Sequence, residues 1–421
     1  METTCQSGGI GQRIIHRCLR LFMLAYVILM DLARIIEPLK RRVGDEGYDI
    51  LLTGTFYSDN WIKSHLRPLA MSEHCARVYV VATSTAPKID KVEAIYPPSW
   101  LVNILGTVPA RLLTFIWIGF RKRPHLMGGF HLLLNGLVAA LLARLTGSRS
   151  LYFCVGSGPT EVLHTGKTEN RLFKKLGGSD EVIEKRLLQA VSSFDIVITM
   201  GRNAMKFFRH EGIATQFRIV SGGIDTNVFY PSELPPAVDI ITVCRLVPVK
   251  RIDLFLEAVR IVKETIPGVA AIVVGDGPLL GPLNALAKEL GVDKNVSFIG
   301  HQNNVEDWLR KAKVFVLMSD SEGLSLSMME AMMCGLPAVV SHVGDLEDLV
   351  EDGINGYLVG ERTPERFAAP IIDLLRNKDR LSLFSRAARK SAERYEINAA
   401  SLLWTQILSP QYTHQRPGRN G

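Results

Sequence analysis

Short apolar runs alternate with longer amphipathic segments along this chain. The alternation occurs twice, before and after a proline-rich interruption. The runs at 48–56 (YDILLTGTF), 77–83 (RVYVVAT), 150–155 (SLYFCV), 195–200 (DIVITM) and 217–221 are short and apolar on both faces, as buried strands are. A shorter strand is expected at 125–129. Between them, 60–74, 100–119, 131–146, 179–193 and 202–212 read as helices. Residues 231–237 (PSELPPA) hold three prolines in seven and read as an interdomain linker. Beyond it, strands are expected at 238–244, 269–275, 295–299, 313–317 and 337–341. Helices are expected there at 251–265, 279–290, 304–312, 326–334 and 345–351. Strands buried on both faces belong to parallel sheets with helices on either side. The expected fold class is therefore α/β: two tandem doubly wound, Rossmann-like domains facing across a cleft, over 48–230 and 231–390. Residues 1–47 are expected to form an amphipathic, membrane-proximal helix. Residues 391–421 are expected to form a helix returning towards the first domain and a flexible tail. Sheets of this kind bind ligands beyond the C-terminal strand ends, which puts the natural site in the cleft.

Charge divides the chain at the same place. Residues 1–236 hold 28 Lys and Arg against 19 Asp and Glu, a net +9, and the remainder holds 21 against 23, a net −2. Such an asymmetry points to an anionic partner. Nucleic acid is disfavoured, because the cations are not interleaved with aromatics along one run and no recognition module is visible. Six scattered cysteines without a C-x-x-C pair argue against a zinc site or a disulfide framework and fit a reducing compartment. The apolar stretch Leu21 to Met30 is too short to span a bilayer, and no small-residue cleavage pattern follows it. It reads either as a helix packed on its own domain or as an interfacial helix with Lys40, Arg41 and Arg42 against anionic headgroups. The stretch Trp100 to Phe120 precedes Arg121, Lys122 and Arg123, and Pro109 and Arg111 interrupt it. It is long enough to span a bilayer but reads as an edge helix able to touch lipid, with a transmembrane span as the minority reading.

The chemistry concentrates in the second half. Arg245 and Lys250 sit in a strand-to-helix turn, where two cations would hold a diphosphate; alone, they would be a solvated basic turn. In Val274-Gly275-Asp276-Gly277-Pro278 the glycines allow positive φ, and Asp276 is expected to cap the next helix. Glu322 and Glu330 stand eight apart, one on a loop and one about a turn inside a helix. Both can point into one pocket, where the N–H groups of Ser325, Leu326 and Ser327 would face a phosphate. Glu330 would accept both hydroxyls of a ribose, and Glu322 those of a sugar. The structural alternative leaves Glu322 in solvent and Glu330 as a helix-dipole partner.

As an ordered set, these residues resemble the retaining nucleotide-sugar glycosyltransferases of family four, which have the GT-B fold. The match includes the turn Arg245 to Lys250, Val274 to Pro278, Phe298-Ile299-Gly300, the carboxylates Glu322 and Glu330, Gly335-Leu336-Pro337 and Asp352 to Gly356. It spans about 220–360 and includes Gly222 to Asp225 with Phe229. Gly156-Ser157-Gly158-Pro159-Thr160-Glu161-Val162 further resembles a pattern of exopolysaccharide-type members. The resemblance implies a nucleoside-diphosphate sugar, such as a UDP-sugar, held by the second domain. Arg245, Lys250 and Glu322 would be the catalytic set. Gly275, Gly323, Leu324, Ser325, Leu326, Ser327 and Glu330 would complete the donor site, with the base near His301 and Gln302. It further implies retention of anomeric configuration with no cofactor or metal. The nearest approach to a metal-binding Asp-x-Asp is Asp320-Ser321-Glu322. Many relatives carry a histidine after the strand aligned with 150–155; here Val155 or Gly156 stands there, and His131 and His164 are the nearest histidines. The acceptor side would use Gly54, Thr55, Gly156, Ser157, Gly158 and His164, with cations such as Lys167 and Arg171 suited to a phosphate-bearing, lipid-linked saccharide. The expected role is polysaccharide assembly in the cytoplasm, peripheral on the inner face of the cell membrane. The competing readings are a nucleotide-sugar epimerase or hydrolase and a non-catalytic membrane scaffold.

Overall fold

The computed structural model describes residues 10–36, 46–56, 58–165, 173 and 176–409. Its chain divides into two compact units, one made of the residues up to Val220 with those from Ser401, the other of Ser221–Ala400. Lys40, Arg41, Arg42, Lys167, Arg171 and the tail from 410 lie outside the described residues.

The first unit opens with α1 (Ile10–Ile35). It buries Leu19, Met23, Tyr26, Met30 and Ala33, a spacing of three and four that marks one helical face. Then follow β1 (Tyr48–Thr53), α2 (Asp59–Met71), β2 (Cys75–Val81) and β3 (Val92–Ile95). The single helix expected over 100–119 is two, α3 (Ser99–Leu105) and α4 (Thr107–Lys122). Gly106 breaks it at φ +83°, and Pro109 falls in the first turn of α4, where no N–H is required. After β4 (Leu126–Phe130), the helix expected from 131 begins irregularly, with positive φ at His131 and Leu134; the regular helix is α5 (Leu137–Thr146). The unit continues with β5 (Arg149–Cys154), α6 (Pro159–Val162), α7 (Glu181–Val191), β6 (Ile196–Thr199), α8 (Arg202–His210) and β7 (Gln216–Ile219). Asp180 caps α7 and accepts from His16 Nδ1 at 2.7 Å and Arg20 Nε at 2.9 Å, pinning α1 to the unit. The seven described strands form one parallel sheet, ordered β3-β2-β1-β4-β5-β6-β7.

The second unit repeats the plan with β8 (Val238–Val243), α9 (Ile252–Thr265), β9 (Ala271–Val274), α10 (Leu280–Glu289), β10 (Val296–Phe298), α11 (Val305–Leu309), β11 (Ala312–Leu317), α12 (Leu326–Met333) and β12 (Ala338–Ser341). The helix expected at 345–351 is only a 3-10 turn, Leu346–Asp348. Gly344 precedes it at φ +58°, and Asn355 below it accepts from the Glu351 N–H. Then come β13 (Gly356–Val359), α13 (Pro364–Arg376), α14 (Lys378–Ala392) and α15 (Ile397–Leu408). The sheet is parallel, ordered β10-β9-β8-β11-β12-β13. Phe255, Val259, Val273, Val316, Phe367 and Ile371 belong to its core. Ala237, at the end of the proline-rich run, donates to the Lys311 carbonyl at 2.9 Å. The two parallel-sheet Rossmann-like domains expected from the alternation are therefore present.

Candidate functional site

Four neighbouring parallel strands, β10, β9, β8 and β11, release their chains at one edge of the second sheet. Their exits carry the expected donor residues and are knit by backbone. Cys244 N–H donates to Val274 O at 3.0 Å, Leu246 N–H to Asp276 O at 2.9 Å, and Gly275 N–H to Gly300 O at 2.9 Å. The Asp320 N–H donates to Val249 O at 2.8 Å, tying the loop after β11 to the turn after β8. Gly275 is required here: its φ is +138°, and a Cβ would stand 1.9 Å from the Cys244 carbonyl oxygen.

Within this frame Lys250 Nζ donates to Glu322 Oε1 at 2.6 Å, and Ser319 Oγ donates to the same oxygen at 2.5 Å. The pair is largely buried, with side-chain exposures of 16% and 9%. An ammonium and a carboxylate 72 positions apart thus meet at the strand exits. Arg245 on the same turn is exposed. Asp320 Oδ1 lies 3.6 Å from both Arg251 Nη1 and Arg362 Nη2, so its charge is already met.

Ser325 caps α12 and its Oγ accepts from the Met328 N–H; Ser327 Oγ stands 3.1 Å away. The first-turn N–H groups of Leu326 and Ser327 have no acceptor within the helix, the ordinary condition of a helix start. Gly323 and Leu324 lead into this cap, and the Gly323 carbonyl accepts from the Asp345 N–H at 3.4 Å. Glu330 is 5% exposed, and no group among the described residues donates a hydrogen bond to its carboxyl. Burial, with the Glu306 charge second, raises its pKa to about 8. His301 is exposed, and Gln302 Nε2 donates to the Ile299 carbonyl at 2.7 Å. Asp276 does not cap α10, whose N-cap is Leu279. Its Oδ1 accepts from the adjacent Gly277 N–H at 2.7 Å, because the chain needs a further turn before the helix begins.

In the first unit, Gly54 follows β1 and is buried; its carbonyl accepts from Arg111 Nη1. Arg111 Nη2 donates to Asn135 Oδ1 at 2.7 Å, and Asn135 Nδ2 to the Phe130 carbonyl at 2.8 Å. Arg111 thereby joins the exits of β1 and β4, while burial lowers its pKa. Gly156 N–H donates to Glu161 Oε1 at 3.2 Å, and Ser157 Oγ stands 3.2 Å from Thr160 Oγ1. Gly158 sits at φ +82°, a conformation that favours glycine, with Phe207 and Ala204 close enough that a Cβ would be tight. The His164 N–H donates to Glu184 Oε1 at 2.9 Å and its ring lies edge-on to Phe173. Sequence reasoning missed Arg111 as a brace and Glu161 as an acceptor. The available signals were a lone cation inside an apolar helix and a carboxylate directly after the Gly156–Pro159 turn.

Residues 233–391 match the family model Glycosyl transferases group 1. D-inositol 3-phosphate glycosyltransferase of Segniliparus rotundus is 33% identical over 199 residues, covering 44% of this chain and 44% of that protein. N-acetyl-alpha-D-glucosaminyl L-malate synthase of Bacillus anthracis is 31% identical over 176 residues, covering 41% of this chain and 45% of that protein. The chain thus spans a little under half the length of these curated relatives. The crystal structure of Anabaena HepE in complex with UDP and glucose aligns with 87% of this chain and 100% of its own, at a TM-score of 0.66 and 17% identity. In fold, then, the chain resembles a solved two-domain α/β protein, and over residues 233–391 its sequence matches the group 1 glycosyl transferases.

Proposed function

We infer that the chain is a retaining, metal-independent glycosyltransferase. It would move a sugar from a nucleoside-diphosphate sugar to a lipid-linked saccharide in polysaccharide synthesis, at an anionic membrane surface. The Lys250–Glu322 contact at the four strand exits carries this reading. In this reading Lys250 would meet a diphosphate and Glu322, beside it, the sugar hydroxyls, close to the N-terminus of α12. Lys250 and Arg245 would stabilise the departing diphosphate electrostatically, the part a metal plays elsewhere. Glu330, buried without a donor among the described residues, would gain two from a ribose. The nucleotide in the HepE complex supports a UDP-sugar as the first donor to try.

The test is a calorimetric titration with UDP-, GDP- and ADP-sugars in the presence of EDTA. One class should bind, and Arg245→Ala should weaken it at least about tenfold, the loss of one charge-assisted contact. If the wild type binds none of them, or Arg245→Ala binds as well as wild type, the donor site is wrongly assigned. Loss of turnover, but not of binding, in EDTA would remove metal independence alone.

A further inference from the structure

A groove of about 580 Å³ opens in the second unit, at the edge of its sheet where the strands begin. That is the edge opposite the strand exits. Ala312, which starts β11, and Leu336, just before β12, form its floor. The proline-rich run makes one wall, with Leu234 and Pro236. The other wall is one face of α14, where Leu381, Ser385 and Arg389 recur every four residues and Arg386 and Lys390 lie one turn apart. Residues 237–421 carry no excess of positive charge, yet this groove collects Arg310, Lys313, Arg386, Arg389 and Lys390 against a single carboxylate, Glu393.

Three of those cations are already engaged. Arg310 Nη2 donates to Asp307, and Lys313 Nζ donates to Asp239 Oδ1 at 2.7 Å. Arg389 Nη1 donates to the Phe229 and Met333 carbonyls, and its Nε lies 3.7 Å from Glu393 Oε1. Arg386 and Lys390 differ. Arg386 Nη1 donates to the Ser382 hydroxyl at 2.8 Å, and neither side chain has a carboxylate partner among the described residues. Two like charges one helical turn apart repel each other. A dianion between them would turn that repulsion into attraction. A phosphate monoester carries about two negative charges on one small group, and a guanidinium takes its oxygens in pairs. Leu234, Pro236, Leu336 and Leu381 offer an apolar surface beside the cations. The volume falls within the range of small-molecule sites.

We propose that this groove is a second ligand site, which binds a small phosphate monoester with an apolar body: the phosphate on Arg386 and Lys390, the body against Leu234 and Leu336. The site goes beyond the glycosyltransferase reading and does not depend on it.

The test is calorimetric titration of the full-length chain with 1-naphthyl phosphate, 1-naphthoate and 1-naphthol. The phosphate should bind saturably, and the other two at least about tenfold more weakly, because each lacks the second charge. The double variant Arg386→Glu, Lys390→Glu alters two exposed side chains and should melt as wild type does, with affinity for 1-naphthyl phosphate lowered at least about tenfold. Leu234→Asp, on the other wall and 77% exposed, should weaken binding several-fold. Arg245→Ala, at the strand exits, should bind the probe as wild type does. Absence of saturable binding, or equal binding by the double variant, overturns the proposal. A loss in Arg245→Ala with none in the double variant places the anion at the strand exits and overturns it too. Equal affinity for 1-naphthoate or 1-naphthol overturns the assignment to a phosphate. A wild type that binds no nucleotide sugar but binds 1-naphthyl phosphate through Arg386 and Lys390 fails the donor reading alone.

Discussion

The Glu330 carboxyl is buried in α12 with no hydrogen-bond donor to it among the described residues, and burial makes its charged form costly. Its pKa of about 8 in the folded chain exceeds the ordinary value of 4.5. Between those two values the folded chain keeps a proton that the unfolded chain has lost. Stability therefore falls as pH rises through that window and levels off above about 8. Glu330→Gln should remove this slope: its melting temperature should match wild type near pH 5 and exceed it at pH 8. Ribose hydroxyls donate hydrogen bonds that favour the charged form. Nucleotide-sugar binding should then strengthen from pH 6 to 8 with release of a proton, read from calorimetry in buffers of different ionisation enthalpy. A pH-independent affinity would mean that no diol reaches Glu330. This residue was legible in the sequence because its spacing from Glu322 and its place after a strand are local facts. Arg111 was not, since its partners are the Gly54 carbonyl and the Asn135 amide, which no charge pattern announces.

At the scale of elements, the central strands and two of the four edge strands, β7 and β10, read well from the sequence. Ile50, Leu51 and Leu52 of β1 are wholly buried, and so are Val314, Phe315 and Val316 of β11, so their apolar runs are continuous. The strands missed, β3 and β13, are four residues long, only partly buried, and lie at sheet edges, where one side needs no apolar partner. Helix length failed where a glycine intervened, as at Gly106. The strand exits show how backbone rather than side chains shapes the proposed donor site. Gly275→Ala would drive a Cβ into the Cys244 carbonyl and must part the exits of β8 and β9. It should destabilise by about 2 kcal/mol or more and weaken nucleotide binding. Gly268→Ala is the matched control, in open space with no positive φ, and should stay within about 0.5 kcal/mol of wild type. Equal denaturant midpoints for the two variants would show that the exits tolerate separation.

Over the whole molecule, the excess positive charge and most of the exposed large apolar side chains fall in the same unit. No described helix is long and apolar enough to cross a membrane. The helix α1 nonetheless carries a second stripe, Leu21, Ile28, Leu32 and Ile35, exposed opposite its buried one. On α4, Leu113, Trp117 and Phe120 are exposed at helical spacing, and Trp100 and Ile104 of α3 are more exposed still. Exposed apolar patches of this kind ask for a partner. Arg121, Lys122 and Arg123 end α4, with the Arg121 guanidinium 5.4 Å from the Trp117 ring. An aromatic at a basic helix end suits the boundary between headgroup and acyl chain. About 1 kcal/mol per cation near an anionic surface makes three of them worth on the order of a hundredfold in partitioning. Co-sedimentation should therefore favour phosphatidylglycerol vesicles over phosphatidylcholine by about that factor, and 1 M NaCl should release the protein. Trp117→Glu should weaken vesicle binding and leave nucleotide affinity unchanged, because Trp117 lies in the first unit and the proposed donor residues in the second. Binding that ignores salt and headgroup charge would assign the anchoring to the apolar stripes alone. Absence of binding to either vesicle would remove the membrane from the proposed function and leave the donor chemistry untouched.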